Sequence, residues 1–203
     1  EKKAKIEAIY PLSFLQQALL FHSLQEGVDQ GFLQVECVLK GKINLEVFQK
    51  AWRQTIQRHE TLRTSIHWEN LEKPVQVVHK EVSLPFSCYD WSAFTESEQK
   101  AKFEEFKFSD TKTPLNLTKA SVLRLFLIKL SEDTHFLLWS CHHILADGWS
   151  ASIILKDFTA FYEANETQLP AIPSYKSYLN WIKSQDNTKA QIFWTEMFQD
   201  FET

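Results

Sequence analysis

The sequence predicts an α/β (α+β) fold in which helices cover a mixed, mainly antiparallel sheet. Two observations favour this class. Short apolar segments typical of strands are interleaved with amphipathic helical segments, but the two kinds do not alternate strictly. The later apolar segments are joined by turn residues alone, which indicates a hairpin and hence antiparallel pairing. With 203 residues, the chain is long enough to bury a substantial core.

In the first half of the chain, caps and hydrophobic spacing define the elements. Ser13 is placed to cap a first helix, which we expect to end at Gly27. The odd positions of 33–39 are apolar and predict a half-buried strand. A second helix ending near Arg58 is indicated by apolar residues at helical spacing, namely Leu45, Phe48, Trp52 and Ile56. Extended segments are then predicted at residues 61–68, 75–78 and 85–91.

The second half contains a charged helix, a hairpin and three further helices. Thr95 and Glu98 form a capping-box signature, and Pro114 closes the helix that follows. The hairpin is predicted from the strands at residues 121–130 and 134–139. The three further helices are predicted from residue 150 onward, at 175–184 and at 188–198. Residues 169–173, with prolines at 170 and 173, are expected to form a linker that leads to the last two helices.

Composition and cysteine content argue against several function classes. A formal net charge of −4 gives no electrostatic reason to expect nucleic acid or an anionic membrane as partner. No apolar run reaches the roughly 18 residues that a membrane-spanning helix needs. The four glycines form no phosphate-binding cluster. Cys37, Cys88 and Cys141 are odd in number and widely spaced, which argues against disulfides and zinc and favours a cytoplasmic protein.

The segment Cys141–Ser150 carries the candidate chemistry. His142 and His143 are adjacent at a strand end, so their side chains point to opposite faces and do not share a metal ion. One histidine is expected in the interior and the other in a cleft, where an imidazole can move a proton near neutral pH. Asp147 could cap the following helix, orient an imidazole, or form a buried ion pair. Spacing alone does not choose its partner among Arg53, Arg58, Arg63 and Arg124.

Three collinear segments resemble motifs of the condensation domains of nonribosomal peptide synthetases. HHILADG at 142–148 resembles HHxxxDG, a motif shared with the chloramphenicol acetyltransferase-like superfamily. RHETLRT at 58–64 resembles RHExLRT. YPLSFLQ at 10–16, together with LFHSL at 20–24, resembles the amino-terminal helix motif. The resemblance implies a chloramphenicol acetyltransferase-like lobe, the amino-terminal half of a two-lobed domain whose active site lies between the lobes. It assigns residues 1–168 to this lobe and 169–203 to a linker with helices that lead toward the carboxy-terminal lobe.

The resemblance also implies a role for each motif residue. His143 matches the histidine assigned to catalysis, and His142 matches the histidine usually treated as structural. Asp147 matches the aspartate that pairs with the last arginine of the second motif, here Arg63. Gly148 matches a glycine whose backbone lines the site.

The implied reaction forms an amide from an upstream acyl or peptidyl thioester and the amine of a downstream aminoacyl group. Both substrates would arrive on phosphopantetheine arms of peptidyl carrier proteins, with no cofactor bound directly and no metal. An adjacent adenylation domain and the carboxy-terminal lobe would be further partners, and the isolated lobe is expected to be inactive. Alternatives are an epimerisation or dual epimerisation/condensation domain, an acyl-CoA-dependent acyltransferase of the same superfamily, and a non-catalytic recruitment module.

Overall fold

The computed structural model describes residues 6–25, 31–164 and 169–201. The chain divides into two compact units, Glu1–Ile172 and Pro173–Thr203. The described part of the second unit contains two helices, α5 (Tyr175–Ser184) and α6 (Thr188–Met197). All of the candidate site residues belong to the first unit.

The first unit contains two sheets and four longer helices within the described residues. In chain order its elements are β1 (Ile6–Pro11), α1 (Phe14–Leu24), β2 (Phe32–Lys40), α2 (Leu45–Arg58), a short 3₁₀ helix (Glu60–Arg63), β3 (Thr64–His67), β4 (Val75–His79), β5 (Phe86–Asp90), α3 (Glu96–Thr111), β6 (Leu123–Ser131), β7 (Thr134–His142) and α4 (Gly148–Tyr162).

The larger sheet has the strand order β2-β7-β6-β5, and the smaller sheet has the order β1-β4-β3. Every pairing is antiparallel except that of β5 with β6. The predicted fold class, a mixed and mainly antiparallel sheet covered by helices, is therefore confirmed. β7 lies between two strands of the larger sheet, so the histidine segment leaves from the interior of the sheet rather than from an edge.

Helices α2 and α4 cover one face of the larger sheet through a largely aromatic core. Trp52 of α2 is fully buried, and its ring stacks on Phe158 of α4 with centroids 4.7 Å apart. The same indole meets Trp139 of β7 edge-on at 5.9 Å. Such ring pairs add about 0.5–1.5 kcal/mol each beyond the burial of their area. This core fixes α4, which directly follows the histidine segment, against the sheet.

Helix α3 covers the opposite face, where a buried acid lies beside apolar contacts. The ring of Phe103 stacks on Phe136 of β7 at 4.2 Å. Asp110 is buried and pairs with Arg124 of β6 at 2.8 Å, and it also accepts hydrogen bonds from Gln34 and Ser140. A buried carboxylate needs such compensation, because an unpaired buried charge is strongly destabilising.

Several element boundaries differ from the sequence prediction. Strand β1 was not predicted, and β7 continues to His142 instead of stopping at residue 139. Residues 60–63 form a 3₁₀ helix before the extended segment begins at Thr64. Helix α1 ends at Leu24, and its expected stop at Gly27 lies outside the described residues. None of the described helices is long and apolar enough to cross a bilayer.

Candidate functional site

The candidate site is formed where β7 ends and α4 begins. The final residue of β7 is His142, which is opposite Phe32 of β2 in the strand register. The next backbone N–H group, that of His143, donates a 2.6 Å hydrogen bond to the carbonyl oxygen of Gly31. Ile144 and Leu145 then insert into an apolar cluster with Leu20 of α1. The turn between strand and helix is thus held by backbone and by core contacts.

His142 is buried, with 2% of its surface exposed, and hydrogen bonds engage both of its ring nitrogens. Its Nδ1 accepts a 3.0 Å hydrogen bond from the backbone N–H of Ile144. A backbone N–H group is only a donor, so the proton of this imidazole lies on Nε2. That nitrogen donates to the hydroxyl of Ser23 in α1 at 2.8 Å. The ring therefore closes the turn and joins it to α1.

Gly31 allows the chain to pass directly over the ring of His142. A Cβ atom at this position would lie 2.0 Å from Nε2 and 2.1 Å from Cε1 of that ring. Real Cβ atoms do not make such contacts, so any larger residue would displace the imidazole or the turn. Sequence reasoning gave no role to Gly31, because its constraint comes from a residue more than a hundred positions away.

His143 is half-buried, in contrast to its neighbour. Its imidazole makes no hydrogen bond with the residues that the structure describes, whereas its backbone is held by Gly31. Nearby, Trp149, the second residue of α4, is 84% exposed. An imidazole whose nitrogens make no hydrogen bond with the surrounding fold is available to a ligand.

Asp147 is the N-cap of α4. Its Oδ1 accepts hydrogen bonds from the backbone N–H of Ser150 at 2.8 Å and from the Ser150 hydroxyl at 2.7 Å. These hydrogen bonds hold the pKa of the Asp147 carboxyl below its ordinary value, with a smaller contribution from the neighbouring His143. Of the roles left open by the sequence, the capping role is the one that the geometry shows.

The expected ion pair between Asp147 and Arg63 is not formed. Arg63 is 4% exposed and donates instead to Glu7 of β1 at 2.6 Å and to the carbonyl oxygens of Gln57 and His79. Its guanidinium thus joins β1 and β4 to the end of α2. Asp147 is exposed, and its carboxylate accepts hydrogen bonds from Ser150 instead of pairing with Arg63. The family-based pairing was therefore wrong for this structure.

This correction predicts that substitutions of Asp147 and Arg63 act independently on stability. Asp147→Ala should cost about 1 kcal/mol of unfolding free energy, the usual effect of losing an N-cap, and Asp147→Ser should cost less because serine also caps. Denaturant unfolding of Asp147→Ala, Arg63→Ala and the double variant provides the measurement. We expect the two effects to add within about 0.5 kcal/mol. A coupling energy well above that value would show that Asp147 and Arg63 do interact, as the family-based pairing implied.

A different residue of the second motif makes the ion pair to α4. Arg58 Nε donates to Asp157 Oδ2 at 2.7 Å, and His59 Nε2 lies 3.0 Å from the same oxygen. Asp157 is 4% exposed, on the face of α4 that turns toward the core. A second hydrogen bond runs from the guanidinium to the carbonyl oxygen of Pro170. Arg58 was among the four candidates that spacing left open, whereas Asp157 had not been identified.

Burial lowers the pKa of His59 below its ordinary value of 6.5, although the adjacent Asp157 carboxylate acts in the opposite direction. The unfolded chain then binds a proton at this residue more readily than the folded chain does. The contribution of His59 to stability is therefore complete above about pH 6.5, and it is lost as the pH falls from there through the lower pKa of the folded state.

Helix α1 contacts the histidine turn at a second point through Gln16. Its side-chain amide donates to the carbonyl oxygen of Ile144 at 3.1 Å, and its Oε1 accepts from the backbone N–H of Ser13 at 3.0 Å. Ser13 and Gln16 form a capping box, which is recognisable from sequence as S-x-x-Q. The sequence analysis identified Ser13 as the cap but not its partner Gln16, which the S-x-x-Q spacing indicates; nothing in the sequence indicates the contact of Gln16 with Ile144.

A cavity of about 540 Å³ is lined in part by His142 and Ser23. Its walls come from the end of α1, from Trp68 and from the segment that leads from α3 to β6. Pockets of this size are typical of small-molecule sites. Among the described residues, no group of three or more His, Cys, Asp or Glu side chains is arranged to hold a metal ion.

Comparison with known proteins identifies the family. Residues 6–203 match the model of the condensation domain, so the chain belongs to the condensation domain family. It is 40% identical over 201 residues to a linear gramicidin synthase of Brevibacillus parabrevis, covering 97% of this chain and 4% of that protein. It is 34% identical over 206 residues to a plipastatin synthase of Bacillus subtilis, covering 99% of this chain and 8% of that protein. The chain thus spans less than a tenth of either relative.

Solved structures share this fold. The SgcC5 protein of Streptomyces globisporus superimposes with a TM-score of 0.75 at 25% identity, covering 94% of this chain and 46% of that one. The first condensation domain of the calcium-dependent antibiotic synthetase gives a TM-score of 0.78 at 17% identity, covering 97% of this chain and 48% of that one. This chain corresponds to about half of each solved chain. The similarity covers more than nine-tenths of this chain in both cases and agrees with a chloramphenicol acetyltransferase-like lobe.

Proposed function

We propose that this chain is the amino-terminal lobe of a condensation domain that forms amide bonds within a nonribosomal peptide synthetase. Its donor is an acyl or peptidyl thioester on an upstream carrier protein, and its acceptor is an aminoacyl group on a downstream carrier. The observation that carries the proposal is the match of residues 6–203 to the condensation domain together with an intact histidine turn. An adenylation domain and a second lobe complete the assembly, which works in the cytoplasm; the three cysteines are free thiols, as that compartment favours.

In the reaction, the amine nitrogen attacks the thioester carbon and a C–N bond forms. The C–S bond then breaks, and the phosphopantetheine thiol leaves the donor. His143 accepts the proton from the attacking nitrogen and transfers it to the departing thiolate. Its half-buried imidazole, which makes no hydrogen bond with a described residue, suits this role. General base catalysis of this kind contributes about 10²–10⁴-fold.

Gly148 has a separate role at the first position of α4. Backbone N–H groups in the first turn of a helix lack an intrahelical acceptor, and the helix dipole favours negative charge there. The backbone N–H of Gly148 therefore stabilises the oxyanion that develops on the thioester oxygen. A Cβ atom at Gly148 would meet nothing within 4 Å, so the described fold itself does not require glycine. A close approach by the substrate explains the residue better.

The test uses the complete synthetase with donor and acceptor loaded on its carrier proteins, and mass spectrometry detects the product on the downstream carrier. We expect an amide product only when both carriers are loaded. Product formed from a free acyl-CoA without the upstream carrier would identify an acyltransferase instead. Exchange of the α-hydrogen for deuterium with no amide product would indicate epimerisation. No turnover of any kind would leave a recruitment module as the function.

A further inference from the structure

Ser23 of α1 reaches the histidine turn across 119 positions of sequence. Its hydroxyl accepts the proton on Nε2 of His142 at 2.8 Å and donates its own hydrogen to the carbonyl oxygen of Leu19 at 2.8 Å. We propose that Ser23 is a positioning residue that fixes His143 by holding the ring of His142. This inference rests on the proposed function of His143, since positioning matters only if that residue acts in the reaction.

The ring of His142 transmits this constraint to both sides of His143. One ring nitrogen is held by Ser23, and the other receives the backbone N–H of Ile144. His143 therefore lies between a residue whose ring is fixed and a residue whose backbone is bound to that ring. The backbone N–H of His143 is itself held by Gly31, the residue that lies over the same imidazole. A rotation of this ring would shift the backbone that carries the catalytic side chain.

The hydroxyl of Ser23 fits this role because it donates one hydrogen bond and accepts another, and its donor is already committed to Leu19. Bonding to Leu19 orients its hydrogen back along α1, which leaves a lone pair to accept from His142. The side chain consequently favours the tautomer of His142 that carries its proton on Nε2. That tautomer is also the one that can accept from Ile144.

Gln16 provides independent support, because it joins the same helix to the residue after His143. Its amide donates to the carbonyl oxygen of Ile144, whereas Ser23 acts on the residue before His143. Leu20, between them on α1, shares an apolar cluster with Ile144 and Leu145. Helix α1 therefore contacts the histidine turn on both sides of His143.

The test compares Ser23→Ala, Ser23→Thr and Thr159→Ala in the complete synthetase. Alanine is the best helix former, so Ser23→Ala removes the hydroxyl without weakening α1 locally. Threonine retains a hydroxyl at the same carbon. Thr159 is the control, because its exposed hydroxyl makes the same type of bond to the carbonyl four residues earlier, at 2.9 Å, on a different helix.

Two readouts separate positioning from stability. The rate of amide formation should fall about 10–100-fold in Ser23→Ala, as expected when a catalytic group is misplaced by about 1 Å, with KM for both loaded carriers unchanged. Ser23→Thr should recover most of this rate, and Thr159→Ala should match the natural protein. Modification by diethyl pyrocarbonate, located by peptide mass spectrometry, should reach His142 faster in Ser23→Ala, because Ser23 and His142 both line the 540 Å³ cavity and the substitution removes the hydroxyl that covers Nε2.

The second readout does not depend on the reaction, so the two proposals fail separately. If the natural protein forms no amide, the proposed function fails, while faster labelling of His142 in Ser23→Ala still supports the structural contact. If amide formation and His142 labelling are both unchanged in Ser23→Ala, the positioning role is wrong. Slower catalysis with raised KM and a lowered melting temperature, unrelieved by threonine, would identify a folding defect and would also reject the role.

Discussion

Replacing His143 with alanine is expected to slow amide formation by about 10²–10⁴-fold, the range that a lost general base accounts for. Folding should not suffer, since the His143 imidazole makes no hydrogen bond with the described residues. The assay is single-turnover product formation on the downstream carrier, with circular dichroism melting as the check on folding. His67→Ala is the control for activity: it removes an imidazole from β3 in the other sheet, together with its 2.9 Å hydrogen bond to Ser65, and it should leave the rate unchanged.

The pH dependence of this variant distinguishes proton transfer from positioning. An α-amine titrates near pH 8, so a growing fraction of the acceptor is already neutral as the pH rises from about 7 to about 9. If His143 mainly removes the ammonium proton, the difference between the natural protein and His143→Ala should narrow over this range. If it mainly orients the amine, the difference should stay constant, because orientation contributes equally at every pH. An unchanged rate in His143→Ala at all pH values would reject the catalytic assignment.

Local patterns predicted the elements that form the core, because their spacing is set by burial against the larger sheet. The recurrence of Phe48, Trp52 and Ile56 located α2, and the observed helix ends at the predicted Arg58. Strand β1 was not predicted, because most of its apolar side chains are not buried against a sheet face and set no spacing. Its isoleucines, Ile6 and Ile9, are 50% and 58% exposed, so the strand is specified by pairing with β4 and has no apolar alternation of its own.

Motif recognition located the histidine turn but not the contacts that hold it. Each of those contacts joins segments that are far apart in sequence, such as Ser23 with His142 and Arg58 with Asp157. Spacing within a motif limits which side chains share a face, but it does not select a partner from another element. The family-based pairing of Arg63 with Asp147 was wrong for that reason, since Arg63 pairs with Glu7 and Asp147 accepts from Ser150.

The ion pair between Arg58 and Asp157 should therefore be the principal electrostatic contact between the second motif and α4. Asp157→Asn keeps the volume of the side chain but leaves the half-buried guanidinium without a counterion, and the side chain of Arg58 is only 19% exposed. Breaking a buried pair from one side costs about 3–5 kcal/mol, and we expect the lower end because Arg58 keeps some contact with water. For a protein of this size, about 3 kcal/mol lowers the melting temperature by roughly 6–12 °C.

Matched variants separate the cost of an unpaired charge from the loss of a contact. Glu132→Gln breaks the exposed pair between Lys129 and Glu132, also 2.7 Å long, and should leave the melting temperature unchanged. The double variant Arg58→Met/Asp157→Leu removes both charges, and it should be more stable than Asp157→Asn, because apolar residues of similar volume replace a buried pair at little cost. Equal destabilisation of the single and double variants would mean that the geometry of the pair, including its hydrogen bond from His59, matters more than charge balance. If Asp157→Asn and Glu132→Gln have the same melting temperature, the ion pair does not stabilise α4. The core around Trp52 and Phe158 is then sufficient to hold the helix that begins at Gly148.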